Sequence, residues 1–160
     1  MIVADTGAVV ALLDTGDRHH ASLRAIFMRD PGAWLLPWAI LPEVDYLVAT
    51  ELGDRAAQLW FDDLASGAFA IEWGTKADLA AAHKLASRHA ALQLGLVDAV
   101  VMVIAERLRA DIATLDLRDF GAIRFAHGPR LLPRDALPPT GRKRRDVLSN
   151  KQGTRRPDGR

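Results

Sequence analysis

Four acidic residues are the strongest candidates for chemistry in this sequence: Asp5, Glu43, Asp98 and Asp116. No cysteine nucleophile, phosphate-binding glycine-rich loop or Ser–His pairing competes with them. Hard cations such as Mg²⁺ take oxygen ligands and are commonly shared between a few carboxylates and substrate phosphates. The four acids therefore predict a divalent metal site and metal-assisted hydrolysis of phosphodiester bonds.

Two kinds of hydrophobic pattern alternate along the chain and would position these acids. Short β-like runs occupy residues 2–4, 33–36, 69–72, 111–114 and 130–132. Helical patterns occupy residues 8–13, 19–29, 38–52, 54–65, 75–92 and 96–109. The alternation predicts a three-layer α/β/α fold, in which helices cover both faces of a mostly parallel sheet.

The predicted sheet gives the acids a shared location. Ligand sites of open α/β sheets form beyond the carboxyl ends of the strands, where Asp5 and Asp116 both fall. Asp98 is expected in the first turn of its helix. Glu43 is expected in mid-helix beside the apolar face, where an acid needs a partner. Considered alone, Asp5 and Asp98 also suit helix starts and Asp116 suits a turn, but neither explanation accounts for Glu43.

Short motifs around the acids resemble the PIN-domain ribonucleases, and within them the VapC toxins of bacterial toxin–antitoxin pairs. The four matching motifs are residues 5–13, residues 42–44, residues 96–99 together with 105–106, and residues 114–120. Each motif is weak alone, but four motifs in this order and at this spacing are fairly specific. One position departs from the pattern, because Gly7 stands where many members have Ser.

The resemblance implies a set of site residues as well as a fold. The acids it assigns to metal binding are Asp5, Glu43, Asp98, Asp116 and Asp119. Asp5 and Asp98 are expected to bind Mg²⁺ or Mn²⁺ directly. Asp116 and Glu43 are expected to bind through water or to position the attacking water, and Thr6 and Thr114 are expected to support the acids by hydrogen bonds.

The resemblance also implies partners. The expected substrate is structured RNA such as tRNA, ribosomal RNA or messenger RNA, and the expected partner is a VapB-like antitoxin. Related toxins are typically homodimers. Large apolar residues are abundant between residues 38 and 61, which suits core packing, an oligomer interface or a groove for a partner.

Composition and charge bound the remaining possibilities. The 160 residues suit one globular domain, expected at residues 1–137, and the absence of cysteine is compatible with a reducing cytoplasm. No signal sequence or membrane span is expected.

From Thr140 onward there are eight basic and two acidic residues, so we expect a basic, disordered tail at residues 138–160. Such a tail is either a solvated extension or a contact for nucleic acid or an acidic partner.

Two alternatives from other functional classes remain open at this stage. One is an RNA-binding module whose acids no longer support cleavage. The other is a receiver-like signalling domain, in which an acid pair binds Mg²⁺ and one Asp accepts phosphate. The receiver interpretation expects two adjacent acids after the first strand and a lysine late in the chain, whereas Lys76 and Lys84 lie in a predicted helix.

Overall fold

The computed structural model describes residues 1–136. The basic tail predicted at residues 138–160 and the predicted end of the domain at residue 137 lie outside the described residues. None of the helices in the described part of the chain combines the length and the apolar character that a membrane crossing requires.

Five short strands form one sheet in which every neighbouring pair is parallel. The strands are β1 (Ile2–Ala4), β2 (Trp34–Pro37), β3 (Ala70–Glu72), β4 (Asp111–Ala113) and β5 (Leu131–Leu132), in the spatial order β3-β2-β1-β4-β5. The central strand β1 is paired on both sides, so Val3 and Ala4 are fully buried. All five predicted strand positions are confirmed within one or two residues.

Between residues 1 and 136, seven α-helices flank this sheet. They are α1 (Thr6–Leu13), α2 (His20–Phe27), α3 (Leu41–Leu47), α4 (Asp54–Ser66), α5 (Lys76–Arg88), α6 (Leu96–Leu108) and α7 (Leu117–Ala122). Helix α6 packs against β1 and β2 and has six buried residues, of which Val101, Ile104 and Ala105 have no exposure. The predicted α/β/α fold is confirmed, and the sheet is entirely parallel.

Three helical predictions differ from the structure. The stretch predicted as one helix at residues 38–52 consists of a 3₁₀ turn (Trp38–Ile40), α3 and a π-helical segment (Val48–Leu52). Pro42 lies at the start of α3, where its missing N–H group is tolerated. The stretch at residues 75–92 divides into α5 and a 3₁₀ turn. The six-residue α7 was not predicted, because it is too short to show a helical period.

Candidate active site

Asp5 lies directly after β1, at the carboxyl edge of the sheet. Its backbone N–H donates to the carbonyl of Ala113 at 2.8 Å, which continues the pairing of β1 with β4. Its carboxylate accepts two hydrogen bonds, from Thr6 N to Oδ1 at 2.8 Å and from Thr114 Oγ1 to Oδ2 at 3.0 Å. Because only 6% of Asp5 is exposed, these bonds replace most of its hydration.

The surroundings of Asp5 oppose its ionisation. Burial is the largest cause, and the negative charges of Asp98 and Glu43 add to it. The hydrogen bonds from Thr114 and Thr6 favour the charged form but do not cancel these effects. The pKa of Asp5 is therefore raised from 3.8 to about 6. A nearby cation would therefore stabilise the charged form of Asp5.

Asp98 approaches the same space from α6. It lies in the first turn of that helix, is partly buried, and accepts a hydrogen bond from Gly95 N at 3.2 Å on Oδ2. Burial again raises its pKa, followed by the negative charges of Asp116, Asp119 and Glu43. Asp98 is thus the residue through which all the predicted acids are electrostatically coupled.

Glu43 does not lie where the sequence pattern suggested. The expectation of a mid-helix acid beside the core is wrong, because α3 begins at Leu41 and Glu43 is an exposed residue of its first turn. Its carboxylate is nevertheless directed to the site, since Thr6 Oγ1 donates to Glu43 Oε2 at 2.7 Å. Thr6 therefore contacts two acids, with its backbone N–H on Asp5 and its hydroxyl on Glu43.

Asp116 forms the start of α7. Its Oδ1 accepts the backbone N–H groups of Arg118 and Asp119 at 3.0 Å each, and its own N–H donates to Thr114 Oγ1 at 3.0 Å. One oxygen of Asp116 is therefore occupied by the cap of α7. The alternative considered for Asp116 was a turn, whereas the structure makes it the cap of a helix, and this role leaves Oδ2 for another partner.

Asp119 is buried and already paired. Arg118 donates to both of its oxygens, from Nε at 2.8 Å and from Nη2 at 3.1 Å. Arg118 was not predicted to be part of the site. Its position directly before Asp119 was the available signal, but adjacency in sequence does not reveal which way an exposed side chain turns. Arg118 supplies a positive charge within the acid cluster.

The acids suit a hard cation by donor type and by charge. Every candidate ligand is a carboxylate oxygen. The negative charges of Asp5 and Asp98 repel each other and the neighbouring acids, and a bound cation would relieve this repulsion. Within residues 1–136, however, no three acidic or histidine side chains already stand in an ion-binding arrangement. Several of their oxygens are instead occupied by Arg118 or by backbone N–H groups. An ion would therefore have to draw the side chains closer.

Comparison with known proteins identifies the family. The model of the PIN domain family matches residues 2–126, and the chain is 31% identical over 130 residues to Ribonuclease VapC26 of Mycobacterium tuberculosis. That alignment covers 81% of this chain and 96% of the relative. The chain belongs to the PIN domain family, and within it to the VapC ribonucleases. The predicted family is thereby confirmed, and the receiver-like alternative is removed.

Solved structures of VapC proteins share this fold. VapC20 of Mycobacterium tuberculosis, described as a toxin that cleaves the sarcin–ricin loop, has a TM-score of 0.69 at 23% identity, covering 79% of this chain and 98% of that one. The DNA-bound VapBC of Salmonella typhimurium has a TM-score of 0.62 at 16% identity, covering 81% and 95%. At these identities the likeness shows the fold alone.

Proposed function

We propose that this chain is a Mg²⁺- or Mn²⁺-dependent endoribonuclease and the toxin of a toxin–antitoxin pair, with its chemistry at the cluster of Asp5, Glu43, Asp98 and Asp116. The observation that carries the proposal is Asp5, a buried carboxyl group whose pKa is raised to about 6 by burial and by neighbouring acids. Such surroundings destabilise the charged form of an aspartate and so do not help a residue that has only a structural role. Perturbed groups of this kind are characteristic of functional sites.

Asp5 and Asp98 would hold the ion, since these two acids have raised pKa values. Asp116 can contribute Oδ2, and Asp119 can contribute only when Arg118 releases it. A bound divalent ion would neutralise the scissile phosphate and lower the pKa of the attacking water. Thr114 and Thr6 would keep the Asp5 carboxylate in one orientation, which metal ligands require from their hydrogen-bonding neighbours.

Glu43 is the candidate for positioning the attacking water. It is exposed, so it can meet a substrate at the mouth of the site, and its Oε2 is fixed by the Thr6 hydroxyl. Its other oxygen is left to accept a proton or to orient water, as a general base would. Water would then attack the phosphorus atom while the bond from phosphorus to the leaving ribose oxygen breaks. The proton that water loses would pass to Glu43, and the leaving oxygen would take a proton from solvent.

The RNA-cleaving proposal includes partners and a compartment. Structured RNA such as tRNA, ribosomal RNA or messenger RNA is the proposed substrate, and the cytoplasm is the proposed place of action. A VapB-like antitoxin is the proposed inhibitor, by analogy with the VapBC complex crystallised from Salmonella typhimurium. Tyr46, Phe61 and Trp73 are large, exposed side chains that suit a homodimer contact or the antitoxin.

The test is cleavage of purified total RNA by the full chain after removal of any bound partner. We expect discrete fragments with Mg²⁺ or Mn²⁺, none with EDTA, and none from Asp5→Asn in either metal. RNA that stays intact under every condition while the protein still binds it would overturn the nuclease proposal. The chain would then be the RNA-binding module considered above.

A further inference from the structure

An apolar cavity of about 380 Å³ lies beside the acid cluster and has no role in the chemistry described above. It opens at the carboxyl ends of β4 and β5, where Thr114 and Pro133 contribute to its wall. Thr114 belongs to both places, because its hydroxyl donates to Asp5 Oδ2 at 3.0 Å. The cavity and the acids are therefore adjacent parts of one surface.

The lining of this cavity has two parts of different chemistry, an aliphatic part that we call the floor and a polar part that we call the rim, which contains His19, Ser22 and Arg134. Leu115, Leu117 and Pro133 supply an aliphatic floor. Leu117 directly follows Asp116 and is 41% exposed. Exposure of a large apolar side chain to water costs free energy, which a bound apolar group would recover. The volume lies in the range of small-ligand pockets, about 300–1,000 Å³. A flat, largely apolar group fits such a floor.

The rim carries hydrogen-bonding groups that are only partly used. Arg134 donates to Asp135 from Nε at 2.7 Å and from Nη2 at 2.8 Å, which leaves its third guanidinium nitrogen for a ligand. Arg18 Nε donates to His19 Nε2 at 2.9 Å, so the ring hydrogen of His19 lies on Nδ1 and can be donated. Ser22 gives its hydroxyl hydrogen to the carbonyl of His19 at 2.8 Å and retains lone pairs. The rim thus offers both donors and an acceptor.

We propose that this cavity binds one unpaired nucleobase of the RNA substrate, next to the phosphate that is cleaved. Proteins recognise single-stranded RNA by stacking an unpaired base on a side chain and by hydrogen bonds to the edge of that base, and enzymes that extrude a base hold it between aromatic or apolar side chains. An aliphatic floor with donors and an acceptor at the rim has that combination. The proposal rests on the proposed function, because the base is assigned to the substrate of the same site.

A nucleobase fits this location better than a lipid or a free phosphate. A phosphate would have to sit on the aliphatic floor, where burial of charge is costly. A lipid chain would leave the donors of His19 and Arg134 unused. In an RNA chain, a base and its own phosphate are covalently joined, so an apolar cavity sharing Thr114 with an acid cluster suits both parts of one nucleotide.

The proposal is tested with two matched oligonucleotides. Sequencing of the fragment ends from total RNA gives the cleavage site, and a short single-stranded RNA of that sequence is made with and without the base at each position flanking the cut. For the wild-type chain we expect loss of one particular base to raise KM about fivefold or more, because the base buries apolar surface against the aliphatic floor. That penalty should shrink to less than about twofold in Leu117→Ser, whose apolar contact is gone.

The control is Leu59→Ser, because Leu59 is another exposed leucine, on α4, and lines no part of the cavity. Leu59→Ser should keep the full penalty. Arg134→Gln is the second cavity variant, in case Leu117→Ser fails to fold, and it should also reduce the penalty. If the penalty is the same in wild type and in both cavity variants, or if no single base matters, the nucleobase proposal is wrong.

Two further outcomes separate this proposal from the proposed function. Asp5→Asn, which should not cleave, is used to measure binding of the same oligonucleotides. If total RNA yields no fragments, binding is measured instead with the four homopolymeric single-stranded RNA oligonucleotides, each made with and without one internal base. Base-dependent binding that is lost in Leu117→Ser would then leave the cavity proposal standing although the nuclease proposal fails, and the absence of any base dependence would overturn the cavity proposal. If Leu117→Ser weakens antitoxin binding while the base penalty is unchanged, the cavity serves a protein side chain and the nucleobase proposal is overturned.

Discussion

The hydroxyl of Thr114 donates to Oδ2 of Asp5 at 3.0 Å, and the two residues are 109 positions apart in the chain. This bond joins the ends of the two adjacent strands β1 and β4. The same hydroxyl oxygen accepts the N–H of Asp116, so one threonine fixes two acids of the proposed metal site. The geometry of the site is therefore set by the pairing of central strands, not by a mobile loop.

Thr114→Val should reduce RNA cleavage while the chain remains folded. The change keeps the shape of the side chain but removes the donor to Asp5 and the acceptor for Asp116. Loss of a comparable hydrogen bond to a metal ligand typically costs about 10- to 100-fold in activity or metal affinity. Thr114→Ser, which keeps the hydroxyl, should retain most of the activity. Equal kcat/KM values for the two variants would show that the hydroxyl does not orient Asp5.

Asp5 should make the metal-free protein less stable as the pH rises. Its pKa is raised from 3.8 to about 6, so the folded chain holds this proton more tightly than the unfolded chain. The free energy of unfolding is therefore highest below about pH 4 and falls as the pH rises from about 4 through 6. The total loss is roughly 3 kcal/mol, at about 1.4 kcal/mol per pKa unit. Asp5→Asn cannot undergo this loss.

Urea unfolding in EDTA at several pH values between 4 and 8 measures this effect. As the pH increases, the free energy of unfolding of wild type should fall relative to that of Asp5→Asn. Parallel curves for the two proteins would mean that Asp5 is not destabilised by its surroundings. Added Mn²⁺ should stabilise the wild type at pH 8 and leave Asp5→Asn nearly unchanged, because ligand binding to the folded state raises its stability.

Arg118→Ala should lower the metal concentration needed for half-maximal cleavage. Arg118 occupies both oxygens of Asp119 and adds a positive charge to the cluster, so it competes with a cation. Arg124→Ala is the matched control, since it removes an exposed arginine that makes no side-chain hydrogen bond in the described part of the chain. An unchanged metal requirement in Arg118→Ala would place Asp119 outside the metal site.

Gly7→Ala should stabilise the protein without loss of activity. Gly7 lies in the first turn of α1, and an added Cβ would meet nothing within 4 Å. Replacing glycine at a compatible position typically adds about 0.4–1 kcal/mol, because the unfolded chain loses freedom. Thermal unfolding measures the gain. Gly7→Ser adds a hydroxyl two residues after Asp5, and any change in kcat beyond that of Gly7→Ala reports on this hydroxyl.

The sequence predicted those parts of the molecule that depend on regular patterns. Short β-like runs such as residues 2–4 and 111–114 can be recognised as strands because each stands beside helical patterns, and the strand–helix alternation then predicts a parallel sheet. The family followed from four short motifs. The position of Asp5 at the carboxyl edge required only the location of β1.

Other features depended on local geometry that periodicity does not reveal. Glu43 was expected in mid-helix because the pattern runs from residue 38 to 52, whereas Pro42 determines where α3 begins. Helix α7 was missed, although Asp116 and Asp119 have the spacing of a helix start. The pairing of Arg118 with Asp119 depends on side-chain rotamers. The cavity beside Thr114 required the relative positions of β4, β5 and α2, which no single segment contains.

Binding of Mn²⁺ and cleavage of RNA, measured on the same samples, test the central claim most directly. We compare wild type, Asp98→Asn and Asp45→Asn, the last being a control that removes an exposed acid of α3 from outside the cluster. Electron paramagnetic resonance reports free Mn²⁺, and an oligonucleotide reports cleavage. We predict that wild type and Asp45→Asn bind Mn²⁺ and cleave RNA, and that Asp98→Asn loses both together. Cleavage that survives in Asp98→Asn, or that continues in EDTA, would contradict the account.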